Sequence, residues 1–573
     1  MKTESQTSGI LLLTGTLLIY TIALVLVISS IALFTGAGIS AWQLPVSFLI
    51  AGIICYSLNQ PIIKTPLFFL RPVIASLVII ALCVAISLYF YDVSYDGQSY
   101  HQEAIYQLKN GWNPFREMLP ESIKMAIYIN HYSKGVELPQ SALYSIIPYI
   151  EVSKATNFIL WIATACILLS WLLTIQKLSR WKCILITLIA VGNPVVVTQL
   201  ISTYVDGQLA IMLLCFLATV IWIVRNPSYA NLLLLASVII ITSNIKFTGL
   251  VYIVLFSFFL LAWLVFTKRT LILRRVFLTS IISGLTAVLL VGFNPYYINT
   301  TQYKHPFYPL MGSEKVDIIG YNLPAGFEDQ NGFMKFTRSI FGRTDNVMPG
   351  SDRKAALKMP FTFQKSEISN AAKVDTRVAG FGPLFSGILL LSFALLVMIL
   401  LNKQGVKPDK NAYYILAVIV ISVIVMPESW WARYIPQLWY FPVIILLLAE
   451  LNNPLKYKYL NGLIYLLFIG SIAFSSLTFG WNFMMTKLVD YQLSRIKQTA
   501  QPVQVEWGSA QSNRIRFDEN QIRYQEVKFN DDDPGLEFII RSDSRFRVPA
   551  NIANPPKSKI IQWAEKFQTV ENQ

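Results

Sequence analysis

Apolar runs recur along this chain that are too long for the elements of a soluble core. Ile10–Phe34 continues for 25 residues without one charged side chain. A helix needs roughly 17–25 apolar residues to cross a hydrocarbon layer about 30 Å thick. Within lipid each backbone N–H and C=O must be satisfied inside the segment, so such runs fold as helices. About thirteen stretches meet or approach this criterion. They are Ile10–Phe34, Trp42–Ser57, Val73–Phe90, Thr156–Ile175, Cys183–Val197, Gly207–Val224, Asn231–Thr242, Thr248–Phe266, Val276–Phe293, Leu384–Leu401, Ala412–Met426, Pro436–Ala449 and Leu463–Gly480. Asn231–Thr242 is short enough to be partly re-entrant. Only 14% of the 573 residues are charged, against 54% hydrophobic; a soluble chain carries about a quarter charged residues. An ordinary cytosolic enzyme is excluded, and the fold class is a polytopic α-helical membrane protein.

Sidedness follows from the short connections, because Lys and Arg are retained on the cytoplasmic side. Alternate connections carry them: Lys64 and Arg71, then Lys177, Arg180 and Lys182, then Arg225, then Lys268, Arg269, Arg274 and Arg275. Lys403, Lys407 and Lys410 follow, and finally Lys456 with Lys458. This phase puts the N-terminus inside and the C-terminus outside. The excess of 47 basic over 32 acidic residues is then topology, and no nucleic-acid partner is expected. Ile10–Phe34 exceeds the roughly 7–15 residues of a signal-peptide core, so it reads as an uncleaved first span. Cys55, Cys83, Cys166, Cys183 and Cys215 fall in or beside spans; they read as small apolar packing residues, with no disulfide framework.

Three long stretches fall outside: residues 91–154, 294–383 and the tail 482–573, which follows a membrane module of residues 1–481. All three histidines, His101, His131 and His305, lie in the first two. Ser99–Asn110 and Pro139–Ile150 read as short helices, the first lying in the interface with Tyr100, Ala104, Ile105 and Leu108 on one side. In the tail, Asn513–Phe517, Tyr524–Phe529 and Leu536–Arg541 alternate or carry β-branched residues, with a turn cluster at Asp531–Gly535. They predict a small, mostly β, extracytoplasmic domain.

The densest polar stretch is Asp92-Val-Ser-Tyr-Asp96-Gly-Gln-Ser-Tyr-His101-Gln-Glu103, just outside the third span. A carboxylate at the membrane boundary is partly desolvated, which raises its proton affinity and suits a general base. Gly97 relaxes the backbone beside Asp96, and His101 and Glu103 add metal-ligand capacity. The alternative is a polar loop whose acids merely avoid the bilayer. Asp206 opens the sixth span on the same side, as a partner for Asp96 or as a helix N-cap. Lys246 and Arg433 sit on the side that the positive-inside rule leaves poor in cations, Arg433 among aromatics. They read as phosphate-binding groups for an anionic lipid, or as residues snorkelling to the interface.

These motifs carry a resemblance. An acidic pair after an early span, a helix with Tyr100-His101 and then Gly111-Trp-Asn-Pro114 resemble the membrane glycosyltransferases of the GT-C fold. The Lys246-Phe-Thr-Gly249 turn, the loop Asn294-Pro295…His305-Pro-Phe-Tyr-Pro309 and Arg433-Tyr-Ile-Pro436 are similar to prokaryotic members. The resemblance implies a polyprenyl-phosphate-linked sugar donor, transfer at the outer face of a bacterial inner membrane to a glycan, lipid or protein acceptor, and an acidic base in the first large external loop. It often implies a divalent cation, Mg²⁺ or Mn²⁺, near the donor phosphate. It gives Asp96 first claim as base and Asp92 second, makes Asp96 and Asp206 metal ligands, and puts Asp206, His101, Glu103, Lys246, His305 and Arg433 on the substrate. Two departures stand out: the hairpin Ile10–Ser57 precedes the acidic loop, and the usual adjacent Asp-Glu pair is replaced by two Asp four apart.

The chemistry agrees with the residues taken alone. Displacing a phosphate from an anomeric carbon needs a base for the incoming hydroxyl and cations for the leaving group. A nucleotide-sugar donor is not expected, since no soluble nucleotide-binding domain is visible. The rival classes are a transporter or flippase of lipid-linked glycan, an O-antigen-type polymerase or ligase, and a non-catalytic assembly subunit. Transporters tend to repeat their halves and to bury ionisable groups at the bilayer midplane; here the ionisable residues gather at the outer ends.

Overall fold

The computed structural model describes residues 2–63, 65–402, 410–499, 501–548 and 555–571. The loop positions Lys64, Lys403 and Lys407 lie outside the described residues. Helices α1 (Lys2–Thr35), α2 (Gln43–Leu58) and α3 (Pro66–Tyr89) open the chain. The first loop holds α4 (Gln102–Lys109), α5 (Ala126–His131) and α6 (Glu137–Ile146). Next come α7 (Ala155–Leu172), α8 (Arg180–Val191), α9 (Pro194–Gln199), α10 (Asp206–Arg225), α11 (Tyr229–Ser243), α12 (Phe247–Phe266) and α13 (Thr270–Leu285). The second loop carries α14 (Ile298–Tyr303), α15 (Gly332–Ile340) and α16 (Lys365–Ala371). Then α17 (Phe385–Leu401), α18 (Lys410–Ile424), α19 (Tyr440–Asn452) and α20 (Lys458–Ile496) lead to a tail with α21 (Asn513–Glu519) and α22 (Lys559–Glu571).

Among the described residues, seven helices are long and apolar enough to cross a membrane, and five shorter apolar helices accompany them. The chain is therefore built as an integral membrane protein. The packing is graded. The apolar stretch of α1 is 72% buried, whereas those of α3 and α13 are 17% buried. So α1 is central, packed on α2, α3, α7 and α11, while α3 and α13 turn side chains such as Leu82 and Ile282 outward.

Not every expected stretch is a single helix. Cys183–Val197 breaks at Gly192-Asn193 into α8 and α9. Asn193 precedes Pro194, and the proline ring drives the preceding residue out of helical backbone. Asn193 turns this to use as the cap of α9, accepting a bond from the Val195 amide at 3.1 Å. The break brings Gln199 and Thr203 to the candidate site.

The loop helices form where the periodicity predicts them, but their setting differs. The apolar side of α4 does not face a bilayer interface: Ala104, Ile105 and Leu108 are buried in the protein core against α6. The tail also differs. Asn513–Phe517 is not a strand but belongs to helix α21. Four short strands, β1 (Val503–Glu506), β2 (Tyr524–Glu526), β3 (Glu537–Phe538) and β4 (Arg545–Arg547), form one sheet in the order β2-β1-β4-β3. β1 pairs parallel with β2, and parallel neighbours need a crossover; α21 is that crossover. α20 runs through residues 481 and 482 without a break, and its Leu488, Val489 and Leu493 pack on Val503, Val505 and Phe546.

Candidate functional site

One large cavity, about 2030 Å³, opens among the first loop, the start of α10, the turn before α12, the second loop, the 430s and the outer part of α20. On its wall lies an ion cluster drawn from five separate stretches of chain. The Arg433 guanidinium is its hub. Nε is 2.8 Å from Asp206 Oδ2, Nη1 is 3.4 Å from Asp375 Oδ2 and Nη2 is 3.7 Å from Asp96 Oδ2. Lys246 forms an ion pair with the other oxygen of Asp206. Gln199 Nε2 donates to Asp206 Oδ2 at 3.3 Å, and its Oε1 accepts the Gly207 amide at 2.7 Å. The Arg433 guanidinium also lies over the rings of Trp431 and Tyr204, at 5.0 and 5.2 Å.

Asp96 and Asp206 thus meet through Arg433. Asp206 is fully buried behind the two cations and does not line the cavity. Nor does its side chain cap α10; it orients Lys246 and Arg433. Asp96 reaches the cavity, with its side chain 17% exposed. Burial pushes the Asp96 carboxyl above the usual carboxylate range; Arg433 and His101 pull it down, and Asp375 adds to the rise. Burial lowers the Lys246 ammonium, against the pull of Asp206. Burial also opposes charge on Arg433, but Asp206, Asp375 and Asp96 prevail and hold it well above its ordinary value.

Asp92 also borders the cavity, but its oxygens are committed elsewhere. Its Oδ2 accepts bonds from Thr203 N and Oγ1, both at 2.7 Å, and Oδ1 accepts from Ser94 N at 2.9 Å. Gly97 is required by this arrangement rather than for backbone freedom: a Cβ there would lie 2.3 Å from Asp92 Oδ2. From Gly97 to His101 the chain winds one wider π-type turn before α4, a feature common at functional sites. In the Lys246 turn a Cβ on Gly249 would lie 2.2 Å from the Thr242 carbonyl oxygen, so glycine lets the turn close on α11.

His101 lines the cavity, its Nδ1 2.8 Å from Glu137 Oε1. Glu103 does not line it: its Oε1 accepts from Arg514 of the tail at 2.5 Å and from Gln107 at 2.7 Å. His305 is also off the cavity wall, its Nδ1 accepting the Phe307 amide at 3.1 Å. His131 packs edge-on against the stacked pair Tyr303 and Tyr308 and contacts Asn299 at 2.9 Å.

Several residues were not singled out by the sequence. Asp375 completes the cluster, and Trp431 Nε1 donates to its Oδ1 at 3.1 Å. Its signal was its place in a long loop on the same side as Asp96. Tyr128 and Tyr132 join Tyr100, already marked in the sequence, on the cavity wall, with ring centroids 5.3–6.1 Å apart. Arg516 was hidden in a segment read as a strand. It donates to Glu151 Oε1 from Nε at 2.9 Å and to the Asp92 carbonyl at 2.5 Å.

The donors do not fit a cation shared by Asp96 and Asp206. Both Asp206 oxygens are taken by Lys246, Arg433 and Gln199, and the guanidinium fills the place between the two carboxylates. No reaction step is derived through a metal at that pair. Chemically, the cluster presents a raised carboxylate beside a guanidinium locked from behind, in a chamber lined with aromatics. No family model, curated protein or solved structure matches the chain.

Proposed function

We propose that this is a membrane glycosyltransferase of the GT-C type, moving a sugar from a polyprenyl-phosphate-linked donor to a glycan, lipid or protein acceptor on the extracytoplasmic face. In this reading it sits in a bacterial inner membrane, with about thirteen spans, the N-terminus cytoplasmic and the C-terminus outside. The observation that carries it is the mixed lining of the cavity. Asp96 and Arg433 contribute charge to its wall, and α20 contributes Leu477, Trp481 and Phe483. α20 is one of the seven helices long enough to cross a membrane. An apolar chain with an anionic head matches that pairing of surfaces.

The acceptor hydroxyl oxygen attacks the anomeric carbon while its proton passes to the Asp96 carboxylate. The bond from that carbon to the phosphate oxygen breaks, and its electron pair leaves with the polyprenyl phosphate. Before the step, Lys246 and Arg433 face the three carboxylates of Asp96, Asp206 and Asp375. Protonating Asp96 removes one of these negative charges as the leaving phosphate gains its own. Arg433 is thereby released electrostatically to the leaving group, while Lys246 and Asp206 hold it in place. Asp92 shapes the loop.

Purified protein in lipid, given a panel of radiolabelled polyprenyl-phosphate sugars, tests this. Transfer or release by wild type and its loss in folded Asp96→Asn support the reading. A folded wild type that consumes no donor, with or without added Mg²⁺ or Mn²⁺, overturns it and favours a flippase.

A further inference from the structure

The cavity has a second charged region whose balance is opposite to that of the Arg433 cluster. Around Arg433 and Lys246 the carboxylates outnumber the cations, so no positive charge is spare in the resting state. The wall contributed by the second loop carries Arg353, Lys365, Lys373 and Arg377. Its acids are already used: Asp345 pairs with Arg353 at 2.9 Å, and Asp375 faces Arg433 and Trp431. Among the described residues Arg377 and Lys365 pair with no carboxylate.

Arg377 is held in a manner suited to binding. Its Nη2 donates to Asn322 Oδ1 at 2.8 Å, and its backbone amide donates to Asn346 Oδ1 at 2.8 Å. The guanidinium rests over the Trp431 ring at 5.8 Å. Its Nε is buried and has no hydrogen-bond partner. A buried donor left unpaired is costly, and this one belongs to a planar fork whose geometry matches two phosphate oxygens. Arg433 rests over the same indole, so the two guanidinium groups share one side chain, and both line one chamber. Lys365 and Lys373 lie on the same wall.

We propose that Arg377, with Lys365 and Lys373, forms a second anion subsite that takes a phosphate- or pyrophosphate-bearing group and seats the acceptor rather than the donor. The anion subsite stands on its own observations; its assignment to the acceptor rests on the transferase reading. Two anionic substrates would then meet beside Trp431, with Asp96 within the same chamber. An acceptor without a phosphate leaves this wall unmatched.

Isothermal titration of the full chain in nanodiscs tests the subsite without any sugar donor, so its failure is separable from failure of the transferase reading. The probes are inorganic pyrophosphate and farnesyl pyrophosphate. Arg377→Gln is expected to weaken binding of both by about tenfold or more, with Arg377→Lys intermediate because it keeps the charge and loses the fork. Asp96→Asn should leave binding within about threefold. If Arg377→Gln does not fold, the double variant Lys365→Gln/Lys373→Gln is expected to weaken binding by about tenfold. Farnesyl pyrophosphate binding at least tenfold tighter identifies a lipid-linked group; equal affinities support the subsite and identify a soluble phosphate-bearing acceptor. Unchanged affinity in folded variants, or no binding of either probe to wild type, overturns the proposal.

Discussion

Asp96 and Asp92 are the same residue type four positions apart, yet their surroundings separate them. Both border the cavity, but Asp92 spends its two oxygens on Thr203 and Ser94, whereas Asp96 has Arg433 as its nearest cation at 3.7 Å. Asp96→Asn is therefore expected to keep the fold and to lower transfer by about 10²–10⁴, the usual worth of a general base. Asp92→Asn should act mainly on stability, read as a lowered Tm with a smaller loss of rate per folded molecule. The pH dependence has a definite sign. A base must be deprotonated, and burial raises the Asp96 carboxyl. The acid limb of kcat/KM should thus fall above the ordinary carboxylate range. Arg433 opposes that rise, so weakening its contact with Arg433→Lys should move the limb to still higher pH. An acid limb at or below the ordinary range would remove Asp96 from the role.

At the scale of elements, the tail is built into the site loop. Arg516 of α21 bridges Glu151 and the Asp92 carbonyl, while the Asp92 amide donates to Glu151 Oε2 at 2.9 Å. Arg514 binds Glu103 of α4, and Ser512 N donates to the Gln98 carbonyl at 3.1 Å. The loop from Asp92 to α4 is therefore clamped between the membrane helices and the tail. Arg516→Gln leaves Glu151 with buried Lys154 as its remaining cation, so the loss should fall below the about 3–5 kcal/mol typical of a buried charge left wholly unpaired. The variant should raise hydrogen exchange across residues 92–109 and reduce transfer. Glu151→Gln strands both Arg516 and the buried Lys154, which also pairs with Glu151, so adding Arg516→Gln to it should cost less Tm than the sum of the two single losses; strictly additive losses would argue against coupling. Glu519 adds to this contact, accepting from Tyr144 Oη at 2.9 Å and the Ile150 amide at 2.7 Å.

At the scale of the whole molecule, the two ends of the helix bundle differ. Asp96, Asp206, Lys246, Asp375 and Arg433 come from connections that the distribution of Lys and Arg assigns to one side, and they gather in one cluster. Connections assigned to the other side also contact one another. Arg269 donates to the Val224 carbonyl at 3.2 Å, Arg275 to that of Pro227 at 3.1 Å, and Lys456 to Asn402 at 2.9 Å. Lys182 pairs with Glu450 at 2.5 Å. Single cysteines test this arrangement, because four native cysteines are buried and Cys166 is half-buried. Cysteine at exposed Lys354 or Asp531 should react with a membrane-impermeant maleimide on intact cells, and cysteine at exposed Arg274 only after permeabilisation. Labelling of all three from outside would refute the assigned topology.

The long apolar runs by themselves determined a membrane-helical fold, because unpaired backbone polar groups cannot be left in lipid and the runs must be helical. The few charged residues in so apolar a chain likewise exposed most of the cluster: Asp96, Asp206, Lys246 and Arg433 were each visible as groups held where charge is expensive. What the sequence did not contain was their pairing. Nothing local to Glu103 reports that Arg514 lies against it, some four hundred residues later. Nothing in the segment around Asp375 shows that it completes the contacts of Arg433. Periodicity reports which face of one element is buried, which is why α4 was foreseen as a helix while the surface covering its apolar face was not. Ion pairs between distant segments depend on how the helices pack and on which backbone groups reach a carboxylate first. That packing assigned Asp92 to the loop and Asp206 to the cations, and left Asp96 facing the cavity.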